Sequence, residues 1–434
     1  MWHPNTQMTE WSSFDKIIQG KGVWLIDSKG NKMIDAVASM WCNVWGHSNP
    51  KLIKAITNQS RKIQHSSLFN LTNEPAEVLA KKLVKISPGM NKVFFSDNGS
   101  SAMEIAIKLA LQYWKNIGEK KKTKIATLEN GYHGDTFGAM SVGYVPEFFG
   151  KFKKQLFPTI QFPVPNKYRI PKKSTFADYQ NYCIEKIEKR FSKNNDIAAF
   201  IMESGAQVAG GVIIYPNGFQ RKINQLCKKY NILFVLDEIA TGFGRLGSMI
   251  QYTEQKSTPD IVAFGKMLTG GYLTMATTLA TKKIYDSFSG EFNEWKHLFH
   301  GHTYTGNPIA AAVAIQNLKM YQENNLIKKI QKTSKIFEKY YKEISEIDIV
   351  GDIRHKGMLM GIEIVTSKTK KTPIHPKKSI NKIFFEEGKK QGIYLRTLGN
   401  IVMLVPPLAI TEKELDLLLN RVLKTIKAVK VQII

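Results

Sequence analysis

Apolar positions along the chain change their period several times, and each change marks an element. Short apolar runs over 22–27 and 32–37 flank Ser28-Lys29-Gly30-Asn31 and read as strand, turn, strand. Ahead of them, Trp2, Met8, Trp11 and Phe14 are spaced too irregularly for one long helix. Helical spacing then governs 51–64 and 75–86. From 92 onward strands at 92–96, 124–128, 198–203 and 233–237 alternate with helices at 102–114 and 219–230. That alternation predicts a mostly parallel sheet covered on both faces. A proline-rich connection, 158–171, crosses the middle of it. Beyond Asn307-Pro308 the pattern shifts to a long amphipathic helix reaching about 345, strands at 357–364, 392–396 and 401–405, and a terminal helix over 412–429. The expected fold is α/β, a large domain with a mostly parallel central sheet plus a smaller α+β domain. Residues 1–48 are expected to join the small domain, 49–308 to form the large one and 309–434 the C-terminal small domain.

Composition narrows the function. At 434 residues the chain exceeds one simple core, and 43% apolar with 23% charged residues is ordinary for a globular protein. The 62 basic against 36 acidic residues leave a net charge of +26, which raises nucleic acid or an anionic membrane as partners. The lysines are scattered, however, and only eight residues are arginine, the side chain on which base and phosphate recognition leans. The charge therefore reads as solvated surface, with neither nucleic acid nor membrane as partner. Cys42, Cys183 and Cys227 lie far apart without metal-ligand spacing, as in a reducing compartment. With no apolar leader and no run of about 18 apolar residues, a cytoplasmic location is expected.

Two strand ends carry the candidate chemistry. The apolar run Leu233-Phe234-Val235-Leu236 closes on Asp237, and the run over 261–264 is followed by Gly265-Lys266. Open α/β sheets place ligand-binding groups at such carboxyl ends. An aspartate and a lysine so placed suit pyridoxal phosphate, the lysine as its Schiff base and the aspartate on the ring nitrogen. The bland alternative is a buried Asp–Lys ion pair. A carboxylate about 4 Å from that nitrogen contributes on the order of 4 kcal/mol toward its protonated form. Ile239, two residues on, points the same way along an extended chain and would pack on the ring. Lys266, once displaced by an amine substrate, is placed to move the proton.

Other stretches fill in the site. Strand 92–96 leads through Asp97-Asn98 to Gly99-Ser100-Ser101, a helix start whose amides suit an anion. Gly99 and Ser100 are thus candidate phosphate-cradle residues, or an ordinary N-cap. Tyr132, within Gly131-Tyr132-His133-Gly134-Asp135-Thr136, is the candidate ring to stack on the pyridine, or part of a structural turn. Glu203 at its strand end either orients the cofactor or Asp237, or satisfies loop amides. Arg396 suits a substrate carboxylate, which arginine clamps with two hydrogen bonds; Arg245 is a second candidate or a structural residue. His297, His300 and His302 lack zinc-ligand spacing, so no metal is expected.

With these stretches in hand, the chain resembles the 7,8-diaminononanoate synthases, also called 8-amino-7-oxononanoate aminotransferases, a branch of the class III aminotransferases. The matching residues include Trp2-His3-Pro4-Asn5-Thr6, Ala110-Leu111-Gln112-Tyr113-Trp114, 131–136 with Gly138-Ala139-Met140-Ser141, 237–245, Gly265-Lys266 with Leu268-Thr269-Gly270-Gly271, and 301–308. The resemblance implies fold type I, pyridoxal 5'-phosphate as cofactor, and a homodimer with two shared active sites. It implies amino transfer to the ketone of 8-amino-7-oxononanoate in biotin biosynthesis. Tyr132, Arg396, Gly301 and the stretch with Met40 and Trp41 would contact substrate, and Thr303 with its neighbour His302 would serve the cofactor across the dimer interface. Members using S-adenosylmethionine as donor carry two tryptophans where this chain has Met40-Trp41 and a tyrosine where it has Asn5. The Gly-His-Thr-Tyr-Thr-Gly-Asn run is more similar to members using L-lysine. A class III transaminase for ω-amino acids, ornithine or 4-aminobutyrate shares the core residues, and a noncatalytic nucleic-acid-binding relative would not need Lys266.

Overall fold

The computed structural model describes residues 1–433. Its centre is a seven-stranded sheet built, in chain order, from β1 (Lys92–Ser96), β2 (Lys124–Leu128), β3 (Ile160–Phe162), β4 (Ile197–Glu203), β5 (Leu233–Asp237), β6 (Ile261–Phe264) and β7 (Ala276–Ala280). The strands lie in the order β1-β7-β6-β5-β4-β2-β3. β7 runs antiparallel to both of its neighbours, and the other strands run parallel to one another. The expected mostly parallel sheet is therefore present.

Both faces of the sheet are covered, which explains the unbroken apolar runs of β4 and β5. Ile201, Leu233, Val235 and Ala263 pack on the helix Gly99–Asn116, together with Ala102, Ile105 and Ala106. Phe200, Phe234, Leu236 and Phe264 face the opposite layer, where Cys183, Ile187, Phe219 and Ile223 come from the helices Phe176–Phe191 and Phe219–Lys229. Two side chains pin the first helix: the Trp114 indole N–H donates to the Ala198 carbonyl at 2.8 Å, and Thr278 Oγ1 donates to the Ala102 carbonyl at 2.7 Å.

Several elements differ from the sequence reading. The irregular N-terminal stretch runs into the strand Ile17–Lys21, which pairs with Trp24–Asp27. The long helix expected after Pro308 is four pieces, Pro308–Glu323, Leu326–Thr333, Ile336–Lys339 and Tyr341–Glu346. Asn325, at φ +48°, makes the first break, since left-handed backbone cannot continue a right-handed helix. The strand expected over 392–396 is two. Ile393–Tyr394 joins the N-terminal sheet beside Lys32–Asp35, and Arg396–Leu398 pairs with Ile401–Leu404 in the C-terminal sheet. Leu395 separates them, so Arg396 sits where one sheet hands over to the other.

Candidate active site

The carboxyl ends of the parallel strands open on one cavity of about 300 Å³. Trp41, Asn98, Gly99, Ser100, Tyr132, His133, Gly134, Glu203, Asp237, Ile239, Ala240 and Lys266 line it. The parallel register sets Asp237 beside Glu203 on one side and Ala263 on the other, so the two acids arrive together. Lys266 follows two residues beyond the end of β6.

Asp237 is 4% exposed and fully engaged on the protein side. One oxygen meets His133 Nδ1 at 2.8 Å and the other accepts the Ile239 amide at 2.9 Å. A buried carboxylate costs the fold heavily unless such partners replace its lost hydration. His133 was present in the sequence motif but only its neighbour Tyr132 drew a role; the contact spans 104 residues and no local pattern announces it. The other ring nitrogen of His133 is buried with no hydrogen-bond partner among the described residues. Glu203 accepts the amides of Tyr132 at 3.3 Å and Val208 at 2.9 Å, the loop-holding option among those the sequence left open. Burial pushes its carboxyl up to about 7, with the charge of His133 opposing that and the charge of Asp237 adding to it.

Lys266 approaches from the far side. Burial pulls its ammonium down from the ordinary lysine range, while Asp237 and Glu203 work against that shift. Its Nζ lies 4.8 Å from the centroid of the Trp41 ring, a cation–π contact. The backbone here is strained. Lys266 has φ +43°, and Ala38, Ser39 and Trp41 have φ +47°, +61° and +66°. Non-glycine residues in this region cost about 1–3 kcal/mol each and persist where surrounding structure fixes them. The effect is to aim both Trp41 and Lys266 into the same space.

The anion end of the cavity is the start of the helix Gly99–Asn116. Asn98 caps it, its side chain accepting the Ser101 amide at 2.9 Å. The amides of Gly99 and Ser100 keep no protein acceptor among the described residues, which fits them to a phosphate. Close approach explains the glycines. A Cβ on Gly99 would come within 2.9 Å of Ile239, and one on Gly134, at φ +125°, would collide with Ser100. The Ser100 hydroxyl accepts the Asp135 amide at 2.9 Å, tying this turn to the Tyr132 loop. Tyr132 itself donates to Asp135 at 3.0 Å, and burial holds its phenol well above the usual tyrosine range. A buried carboxylate, a lysine biased toward its neutral form, free helix-start amides and a flat aromatic boundary together fit pyridoxal phosphate.

A second cavity of about 800 Å³ shares Trp41, Tyr132 and Lys266 with the first and opens outward past Asn5, Met40, Phe148, Arg396 and Met403. Met40 and Arg396 touch here, Nη1 to Sδ at 3.7 Å. Arg245 is a correction. It lines neither cavity, is fully buried, and its Nη1 donates to the carbonyls of Met358 at 2.9 Å and Pro406 at 2.7 Å. Burial pulls its guanidinium down to about 10. Its fixed position ties the glycine turn after β5 to the C-terminal sheet, and as a substrate ligand it is set aside. Gly301, His302 and Thr303 also lie outside both cavities of their own chain. Gly301 packs on Phe69, and the Thr303 carbonyl meets His65 Nε2 at 2.7 Å. The aromatic wall of Phe137, Phe148, Phe149 and Phe152 has no sequence signal because these residues sit in helices of only four to six residues, too short to show a period.

Known proteins place this geometry. The family described as aminotransferase class-III matches residues 9–426. The chain is 41% identical over 99% of its length, and 96% of the relative's, to the adenosylmethionine-8-amino-7-oxononanoate aminotransferase of Geobacter sulfurreducens. The crystal structure of the enzyme of that name from Methanocaldococcus jannaschii superposes with a TM-score of 0.91 at 42% identity, covering 99% of this chain and 97% of that one. An ω-transaminase from Pseudomonas jessenii in complex with PMP gives 0.94 at 28% identity, covering 100% and 97%. A family match over nearly the whole chain, on a site whose buried acid and lysine stand ready for such chemistry, settles the point: the chain belongs to the class III aminotransferases and is a pyridoxal-phosphate-dependent transaminase.

Proposed function

We propose that this transaminase converts 8-amino-7-oxononanoate to 7,8-diaminononanoate, the biotin-pathway step that gives its relatives their name, with an amino acid as donor. The observation that carries the reading is the pairing of the two cavities, one fitted to the cofactor and one, of about 800 Å³ and lined by Arg396, with room for an acid whose carboxylate is remote from its ketone. When bound, pyridoxal phosphate withdraws electrons from the substrate carbon bearing nitrogen. Lys266 would hold the cofactor and, when freed, move the proton. Asp237, oriented by His133, would favour the protonated ring nitrogen. Gly99 and Ser100 would hold the phosphate, Ile239 and Tyr132 would bound the ring, and Glu203 keeps the Tyr132 loop in place. Trp41 and Met40 wall the substrate, and Arg396 takes its carboxylate.

The names of the relatives favour S-adenosylmethionine as donor. The wall of this chain, Met40 and Asn5 in place of further aromatic rings, favours L-lysine. The protein would act as a homodimer with shared sites. Support comes from an exposed aromatic surface in which Trp295 stacks on Phe299 at 5.6 Å, beside Phe69 and Tyr304, each about 60% exposed or more. The loop carrying Gly301, His302 and Thr303 adjoins that surface and would complete the partner's phosphate site. The same reading divides the chain after 48 and after 308.

The test is a visible absorption spectrum of the protein reconstituted with pyridoxal phosphate, before and after each donor, followed by addition of 8-amino-7-oxononanoate. Loss of the visible band with one donor and its return with the keto acid support the assignment and name the donor. A band that a donor bleaches but this keto acid cannot restore would assign the chain to another transaminase.

A further inference from the structure

Glu147 lines the large cavity from the short helix Pro146–Phe149, and its carboxylate has no hydrogen bond or ion pair among the described residues. Some exposed acids hold a lysine, as Glu188 holds Lys229, Asp286 holds Lys282 and Glu294 holds Lys296. Others, such as Glu74, Glu119, Glu185 and Glu254, have no side-chain partner among the described residues, and what sets Glu147 apart from them is its place on the cavity wall. Lys151, Lys153 and Lys154 follow close behind in sequence and none of them pairs with it. The cavity has one other acid, Asp135, already bonded to the Tyr132 hydroxyl. Glu147 is thus the free negative charge facing the substrate space.

Its surroundings suit an organic cation. Phe148 and Phe152 are 41% and 47% exposed and line the same cavity. Phe149 stacks on Tyr132 with ring centroids 6.1 Å apart, fixing the helix that carries Glu147 against the wall shared with the cofactor cavity. A carboxylate flanked by aromatic faces binds ammonium and sulfonium groups through charge and cation–π attraction. The cationic residues of the cavity are Lys266, committed to the cofactor, and Arg396, suited to a carboxylate. One cation and one free acid therefore face the outer part of the cavity.

Resting on the transaminase reading above, we infer that Glu147 determines donor specificity by recognising a second positive charge, several bonds from the amine that is transferred. L-Lysine supplies such a charge as an ammonium and S-adenosylmethionine as a sulfonium. Donors with neutral side chains lack it and are selected against.

The experiment follows bleaching of the visible band in single turnovers of the reconstituted enzyme. L-Lysine is compared with L-norleucine, and S-adenosylmethionine with L-methionine. Wild type should prefer the charged member of at least one pair, and that pair identifies the charge. Glu147→Gln should reduce the preference about tenfold through weaker binding of the charged donor, and Glu147→Lys should reduce it further, the charged donor losing more than its neutral counterpart in both. The preference should also fall with added salt in wild type and not in Glu147→Gln. Equal preference in wild type and Glu147→Gln overturns the inference, as does a wild type indifferent to donor charge. A wild type that shows no visible band, or that no donor bleaches, would instead overturn the transaminase reading.

Discussion

The two cavities meet at Lys266 and Trp41 and are built in opposite ways. The inner one is made from strand ends and one helix start. Asp237, Glu203, Gly99 and Lys266 hang from buried backbone whose register fixes them relative to one another. The outer one is made from a chain terminus, short turns and the junction between two sheets, which supply Asn5, Glu147, Phe152 and Arg396. On the proposed function, reaction chemistry would sit on the sheet-held part and substrate choice on the part built from loops and short helices. This is the division expected when one scaffold serves many substrates.

Substitutions should separate the two regions. The largest effect is expected from Lys266→Ala, which should remove the visible band of the reconstituted protein and lower turnover by about 10⁴-fold. Asp237→Asn should retain the cofactor and lower the rate of the first half-reaction by about a thousandfold, the scale of one charge pair at short range. In the outer cavity, Arg396→Ala should raise the KM for the keto acid about 10- to 100-fold while leaving the rate at saturation nearly unchanged. A comparable loss in kcat would mean that the outer wall also orders the chemistry.

The smallest effect is on stability and belongs to the inner cavity. The carboxyl of Glu203 sits at about 7 in the fold against an ordinary 4.5, so the folded state favours its neutral form. Its contribution to stability is therefore greatest below about pH 4.5, declines as pH rises, and levels off above about 7. Chemical unfolding of the cofactor-free protein should show a loss on the order of 3 kcal/mol across that window, flattened in Glu203→Gln. A wild-type profile matching that of the variant would mean that the group is already ionised in the fold.

The inner cavity was also the more legible in sequence. A strand buried on both faces must be apolar throughout, so Asp237 at the end of β5 stood out, and Lys266 after β6 did the same. Their partner His133 was hidden, because its contact with Asp237 depends on how two loops meet. β7 escaped notice since Ala276-Thr277-Thr278-Leu279-Ala280 is small and weakly apolar, although all five residues are buried. The helix Phe176–Phe191 was missed beside a proline-rich connection, and the helical run after Pro308 gave no local sign that Asn325 would interrupt it. For the outer cavity, family resemblance supplied Met40, Trp41 and Arg396, while Glu147 and its phenylalanines carry no pattern at all. Arg245 misled because scarcity made every arginine conspicuous, whereas its buried side chain serves the backbone of two other segments.

The left-handed backbone at Ala38, Ser39, Trp41 and Lys266 bears on how such an enzyme ages under selection. Glycine would occupy each of these positions with less strain, so a population screened only for heat resistance has an easy route through them. At Ala38 or Ser39 such a step would relax the bend that turns the indole toward the lysine, and at Trp41 or Lys266 it would delete the indole or the lysine itself. Heat resistance gained at these positions would come out of turnover.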